Sequence, residues 1–138
     1  MDYDSIIYYT LDEEEKERLV EKLKSLLANE RVALAYLFGS VTRRSRVRDI
    51  DLAVYTIPPL SFREFLRLGT RVELKLGIPI DLVQLQDMNP AFRLKILRHG
   101  LPLIIDRQLH HRLISQSFSE LMDFKISMDT AKNILKPS

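Results

Sequence analysis

Apolar residues recur at helical intervals early in the chain. Leu19, Val20, Leu23, Leu26 and Leu27 share one face of a 3.6-residue repeat. Thr10-Leu11-Asp12-Glu13 has capping-box spacing, which predicts that this helix starts near Thr10. Val32–Phe38 is a short apolar run ended by Gly39-Ser40, the pattern of a buried strand. Asp49–Thr56 alternates, with Ile50, Leu52 and Val54 on one face and Asp49, Asp51 and Ala53 on the other. Pro58-Pro59 breaks the chain. Ser61-Phe62-Arg63-Glu64 is a second capping box, followed by Phe62, Phe65, Leu66, Val72 and Leu76 at helical spacing. Gly77 suits the left-handed residue that ends such a helix. Pro79–Leu85 predicts a third strand. Asn89-Pro90 predicts a helix start, and Gly100 its end. Leu101–Ile105 predicts a fourth strand, which Pro102 places at an edge or a strand start. A last helix is expected from about Arg107 to Lys136, with Leu109, Leu113, Phe118, Leu121 and Met122 as its apolar stripe. The order α-β-β-α-β-α-β-α predicts an α+β (two-layer α/β) fold: a mixed four-stranded sheet covered by helices, plus a long C-terminal helix. One domain is expected over residues 1–138, with a core at 11–106 and a helical extension at 107–138.

Composition narrows the classes. At 138 residues the chain has room for one core. The longest runs free of Asp, Glu, Lys and Arg are eleven residues, Val32–Thr42 and Leu52–Phe62. A spanning helix needs about 20 apolar residues, so no membrane segment is expected. The acidic start Met1-Asp2-Tyr3-Asp4 has no basic stretch of the kind that opens a signal peptide. Cysteine is absent, which removes disulfides, thiolate catalysis and Cys-ligated zinc and fits a cytoplasmic location. The net charge of +2 is too small to imply nucleic-acid binding, and direct contact with nucleic acid is not expected. The charge is unevenly placed, however. Residues 1–38 carry nine acids and five bases, whereas residues 39–48 carry Arg43, Arg44, Arg46 and Arg48 and no acid. That stretch is either a solvated basic loop or an anion site.

The acids within the apolar strands carry the chemical signal. Asp49 and Asp51 at i, i+2 on a strand point the same way, about 7 Å apart. Two acids on one strand face repel, and a divalent cation with a preference for oxygen ligands, such as Mg²⁺, removes the repulsion. A wet strand face is the structural alternative. Asp81 stands alone in Ile78-Pro79-Ile80-Asp81-Leu82-Val83, and a carboxylate in such company is costly without a partner. Gly39-Ser40 closes a buried strand eight residues before Asp49. A glycine there lets backbone N–H groups approach a phosphate, and the arginines that follow supply cations for a triphosphate. Three strand acids beside a Gly-Ser turn fit metal-dependent phosphoryl transfer.

Leu37-Phe38-Gly39-Ser40, Asp49-Ile50-Asp51-Leu52 and the later Asp81 together resemble the DNA polymerase β-type nucleotidyltransferase superfamily, and within it the minimal nucleotidyltransferases (MNT). The resemblance covers residues 11–106. Ser119-Glu120-Leu121-Met122-Asp123-Phe124-Lys125 is similar to the C-terminal segment of MNT antitoxins, which pair with HEPN-domain ribonuclease toxins. The resemblance implies a nucleotidyltransferase that moves AMP from ATP to a toxin tyrosine, with Mg²⁺ as cofactor. It implies that Gly39 and Ser40 hold the triphosphate, with Arg43 also on phosphate. Asp49, Asp51 and Asp81 would be the catalytic and metal-binding acids, and Asp81 would also help to take the proton of the acceptor. The eight-residue spacer between Ser40 and Asp49 is shorter than usual, and Arg44 and Arg48 stand where the family has glycine and serine. Two alternatives remain open: a degenerate member that silences its toxin by binding alone, and a nucleotidyltransferase acting on a small molecule.

Other features point elsewhere. His110 and His111 are adjacent and do not share a helix face, so neither they nor His99 are expected to ligate metal. The Ser5–Tyr9 segment is expected to pack on the domain or on a second copy. Phe118, Phe124, Ile126, Met128, Ile134 and Leu135 give the last helix more apolar surface than one stripe needs, which implies a bend or a partner surface. Homo-oligomer contacts through either segment fit both observations.

Overall fold

The computed structural model describes residues 7–28 and 30–135. The start of the Ser5–Tyr9 segment and the predicted helix end at Lys136 lie outside the described residues. The elements run β1 (Tyr9–Thr10), α1 (Glu13–Leu27), β2 (Val32–Phe38), a 3-10 turn (Gly39–Thr42), β3 (Arg46–Val47), β4 (Ile50–Thr56) and α2 (Phe62–Leu76). They continue with β5 (Ile80–Gln84), a second 3-10 turn (Leu85–Asp87), α3 (Pro90–His99), β6 (Leu101–Ile104) and α4 (Arg107–Leu135). No helix among the described residues is long and apolar enough to cross a membrane.

The sheet is mixed and four-stranded, in the order β5-β4-β2-β6. β2 pairs antiparallel with β4 and β6, and β4 pairs parallel with β5. The 15-residue helix α2 provides the crossover that a parallel pair requires. β6 lies at the edge, where Pro102 costs no ladder bond in the interior.

Helices cover both faces of the sheet, so the layers number three rather than the expected two. Leu19, Leu23 and Leu27 of α1 and Leu68 and Val72 of α2 pack on Ala35, Leu37, Ile50, Leu52 and Val54. Ile96 and Leu97 of α3 and Leu109 and Leu113 of α4 pack on Leu34, Tyr36 and Ala53. The central strands β2 and β4 are apolar on both sides, so each face needs a cover. On the second face the Tyr36 hydroxyl and His110 Nδ1 share a hydrogen bond of 2.5 Å, which fixes α4 to β2. Arg93, only 4% exposed, ties α3 to α4. Its Nε donates to Ser117 Oγ (2.7 Å) and its Nη2 to Glu120 Oε2 (2.6 Å).

Three local expectations are corrected. The N-cap of α1 is Asp12, not Thr10: Glu15 N donates to Asp12 Oδ1 at 2.7 Å, and Glu15 answers from N3. Thr10 is unavailable because it pairs with Arg46 in a two-stranded ribbon, β1 with β3, that the sequence reading did not include. On α2, Phe62 and Leu66 are exposed, and the buried stripe is Leu68 and Val72. On α4, Leu109 and Leu113 are buried, but Phe118 and Met122 are exposed because Ser117 and Glu120 take the side of the helix that meets α3. The Ser61 and Asn89 caps and the left-handed Gly77 match their expectations.

Candidate active site

The sheet brings two of the three acids together. In the parallel β4–β5 register Asp51 stands opposite Asp81, near enough for each carboxyl to act on the other. In the antiparallel β2–β4 register Asp51 also stands opposite Phe38, the last residue before Gly39. Strand alternation sends both acids to the α3 side of the sheet, at the end where β2 stops and β4 and β5 begin. The Asp51 carboxyl is pushed up from 3.8 to about 6. Burial is the largest cause, followed by the negative charges of Asp49 and Asp81.

Gly39 is shaped around Asp51. It opens the 3-10 turn with φ +74°, the left-handed region. A Cβ on Gly39 would collide with Oδ2 of Asp51 and lie 3.0 Å from its Cγ. Both its conformation and the close approach of the carboxylate therefore require glycine. Ser40 sits inside the turn, and its carbonyl accepts from the backbone N–H groups of Arg43 (3.0 Å) and Arg44 (2.8 Å). The Thr42 hydroxyl closes the same turn by donating to the Gly39 carbonyl at 2.8 Å.

These residues form one end of a cleft of about 1200 Å³. Gly39, Val41, Thr42, Arg43, Asp51 and Asp81 line that end. One wall is α1, with Glu13, Lys16, Glu17 and Glu21, and the other is α3, with Phe92, Lys95, Ile96 and His99. Ser40 and Asp49 do not line the cleft. Asp49 is half-buried just before β4, near enough for its charge to act on Asp51. Among the described residues, no three Asp, Glu, His or Cys side chains stand close enough to hold a metal ion. The sequence-predicted triad is therefore a close pair, Asp51 with Asp81, and a neighbour, Asp49.

The N-terminal segment braces the loop between Gly39 and Asp49. Tyr9 pairs with Val47 and Thr10 with Arg46, and Leu11 N donates to the Ser45 carbonyl at 2.6 Å. The Arg46 guanidinium lies 4.2 Å from the centroid of the Tyr8 ring. Of the four loop arginines, Arg43 is the one that lines the cleft.

The sequence reading missed the α3 wall. Phe92, Ile96 and His99 lie at i, i+4 and i+7, a stripe that was there to be seen, but its direction depends on how α3 packs. His99 was considered only as a metal ligand.

Known proteins give the arrangement a context. The family model described as Polymerase beta, Nucleotidyltransferase matches residues 21–109. No curated protein matches the chain. A crystal structure of a toxin–antitoxin with AMP-PNP superposes with a TM-score of 0.71 at 22% identity, covering 84% of this chain and 97% of that one. The Shewanella oneidensis structure of a tri-AMPylated HEPN toxin in complex with MNT antitoxin gives a TM-score of 0.70 at 20% identity, covering 87% and 98%. The toxin–antitoxin MntA–HepT structure gives a TM-score of 0.68 at 20% identity, covering 86% and 97%. At these identities the likeness is one of fold.

Proposed function

The chain belongs to the polymerase β nucleotidyltransferase family, and from that premise we propose that it is a Mg²⁺-dependent nucleotidyltransferase acting as an antitoxin. The donor is ATP, and the acceptor is a tyrosine hydroxyl of a HEPN-domain ribonuclease toxin. One observation carries the reading: Asp51 is register-paired with Asp81 in the adjacent strand, and its carboxylate fills the Cβ space of Gly39. Nothing in the packing of the fold calls for a half-buried Asp51 facing Asp81 there. A fold similar to MNT antitoxin structures, one solved with AMP-PNP and one with an AMPylated HEPN toxin, supports the choice of donor and partner. The cysteine-free sequence supports a cytoplasmic location.

The donor set fits Mg²⁺, a hard cation that prefers carboxylate oxygens. Burial, with the charges of Asp49 and Asp81, pushes the Asp51 carboxyl up to about 6, and a bound cation would offset that cost. Asp51 and Asp81, with Asp49 from the adjoining bend, would hold the ion, which supplies charge neutralisation for the phosphates. Gly39 and the turn after it, with Ser40, give the triphosphate room against the backbone. Arg43 adds a cation at the cleft wall. The acceptor oxygen attacks the α-phosphorus, the bond to the β-phosphate oxygen breaks and pyrophosphate leaves. Asp81 takes the hydroxyl proton as the new bond forms.

A second reading has its own support. No group of three ligands closes among the described residues, and Asp49 stands off the cleft. On that reading the protein silences its partner by contact alone. Incubation with Mg²⁺ and ATP labelled at the α-phosphate separates the two. Transfer predicts label on the partner from α-labelled but not γ-labelled ATP, and none with Asp51→Ala. An unlabelled yet silenced partner favours contact.

A further inference from the structure

We propose that Phe92 is the platform for the nucleobase and gives this protein a preference for purine over pyrimidine nucleoside triphosphates, an inference that rests on the nucleotidyltransferase reading above. Phe38 and Phe92 are the only phenyl rings among the described residues that line the cleft. Phe92 is 42% exposed, although the same helix buries Ile96 and Leu97. An exposed aromatic ring on a cleft wall is surface available to a ligand.

Its placement follows the sheet register. Asp81 stands opposite Asp51, and Asp51 stands opposite Phe38. The Phe38 ring then meets the Phe92 ring edge to face, with centroids 6.0 Å apart and planes at 83°. Acids, Phe38 and Phe92 are thus consecutive neighbours along one line. A nucleotide whose phosphates lie at the acid pair passes the half-buried Phe38 and meets Phe92, the more exposed ring, beyond it. The T-shaped contact fixes the orientation of the Phe92 ring, so little of its freedom remains to be lost on binding. Lys95 and His99 continue the same wall and favour an anionic ligand on this side. The opposite wall, α1, presents Glu13, Glu17 and Glu21 against Lys16 alone, a net negative face.

The ring carries no hydrogen-bond code, so it reads area rather than identity. A purine covers more of a phenyl ring than a pyrimidine does, and stacking grows with the area covered. The site therefore ranks ATP and GTP above UTP and CTP.

Calorimetric titration of the full chain tests this. The ligands are the Mg²⁺ complexes of ATP, GTP, UTP and CTP and of inorganic tripolyphosphate, which has phosphates but no base. The proteins are wild type, Phe92→Ala and Phe92→Tyr. Stacking of a base on an aromatic side chain predicts that Phe92→Ala loses about tenfold in affinity for ATP and GTP. The purine preference should collapse with it, while tripolyphosphate binding stays unchanged. Phe92→Tyr, which keeps the ring, should restore the wild-type order. Equal ATP affinity in wild type and Phe92→Ala overturns the inference and leaves the nucleotidyltransferase reading standing. An equal loss for ATP and tripolyphosphate overturns it too, because Phe92 would then be shaping the phosphate site. A wild-type protein that binds neither ATP nor tripolyphosphate overturns both.

Discussion

Replacing Asp51 by asparagine should stabilise the metal-free protein while abolishing its response to Mg²⁺. The carboxyl is raised to about 6 in the fold, against an ordinary value of 3.8. Between those values the folded protein holds a proton that the unfolded chain has lost, so stability falls as pH rises through that window. Above about pH 6 the whole penalty is present. Asp51 is only partly buried, and with solvent screening the penalty is about 1 kcal/mol. Asparagine keeps the shape and carries no charge. Urea unfolding in EDTA at pH 7.5 should therefore find Asp51→Asn more stable than wild type by about 1 kcal/mol, or about 4 °C in Tm. The gap should narrow as pH falls through that window and close below about pH 3.8, where the wild-type carboxyl is neutral in both states. Added Mg²⁺ should reverse the order, because a ligand at 100 times its Kd contributes about 2.7 kcal/mol to the protein that binds it. A variant that is less stable at pH 7.5, or a gap independent of pH, would refute the account of Asp51.

Three further perturbations test separate parts of the structure. Gly39→Ala should cost at least about 1–2 kcal/mol for its left-handed backbone alone, and the collision with Asp51 should remove nucleotide binding, as read by urea unfolding and calorimetry. Asp12→Ala should cost about 1 kcal/mol in thermal or chemical unfolding as a lost cap, and a larger effect from truncating the Thr10 side chain would reverse the capping assignment. Tyr8→Ala removes a cation–π contact worth about 0.5–1 kcal/mol and should speed tryptic cleavage between Arg43 and Arg48, whereas Tyr8→Phe should not; equal rates in all three proteins would show that the ring does not brace the loop.

Much of this was legible in the residues. Alternation in β4 and the short apolar run of β2 marked the sheet, and Asp51 and Asp81 stood out because acids in apolar strands need a reason. Gly39 was visible as the end of a buried strand, although its contact with Asp51 was not. What escaped the reading depended on distant partners. Thr10 and Asp12 each begin a capping-box pattern, to Glu13 and to Glu15, and only the pairing of Thr10 with Arg46 separates them. A ribbon of two residues per strand has no periodicity to read. Phe118 and Met122 fit a helical stripe, but periodicity does not say which side of α4 meets α3. Nothing in the sequence marks Phe92 as a cleft residue, and only the packing of α3 places it on the cleft wall.

Intact-mass spectrometry of a cognate HEPN toxin tests the central claim most directly. The toxin is incubated with Mg²⁺, ATP and either the wild-type chain or Asp49→Ala/Asp51→Ala, and its ribonuclease activity is read in parallel. Metal-assisted transfer predicts one or more added AMP groups and loss of ribonuclease activity with the wild type, and neither with the double variant. An unmodified toxin that both proteins silence equally would contradict it and leave contact as the mechanism.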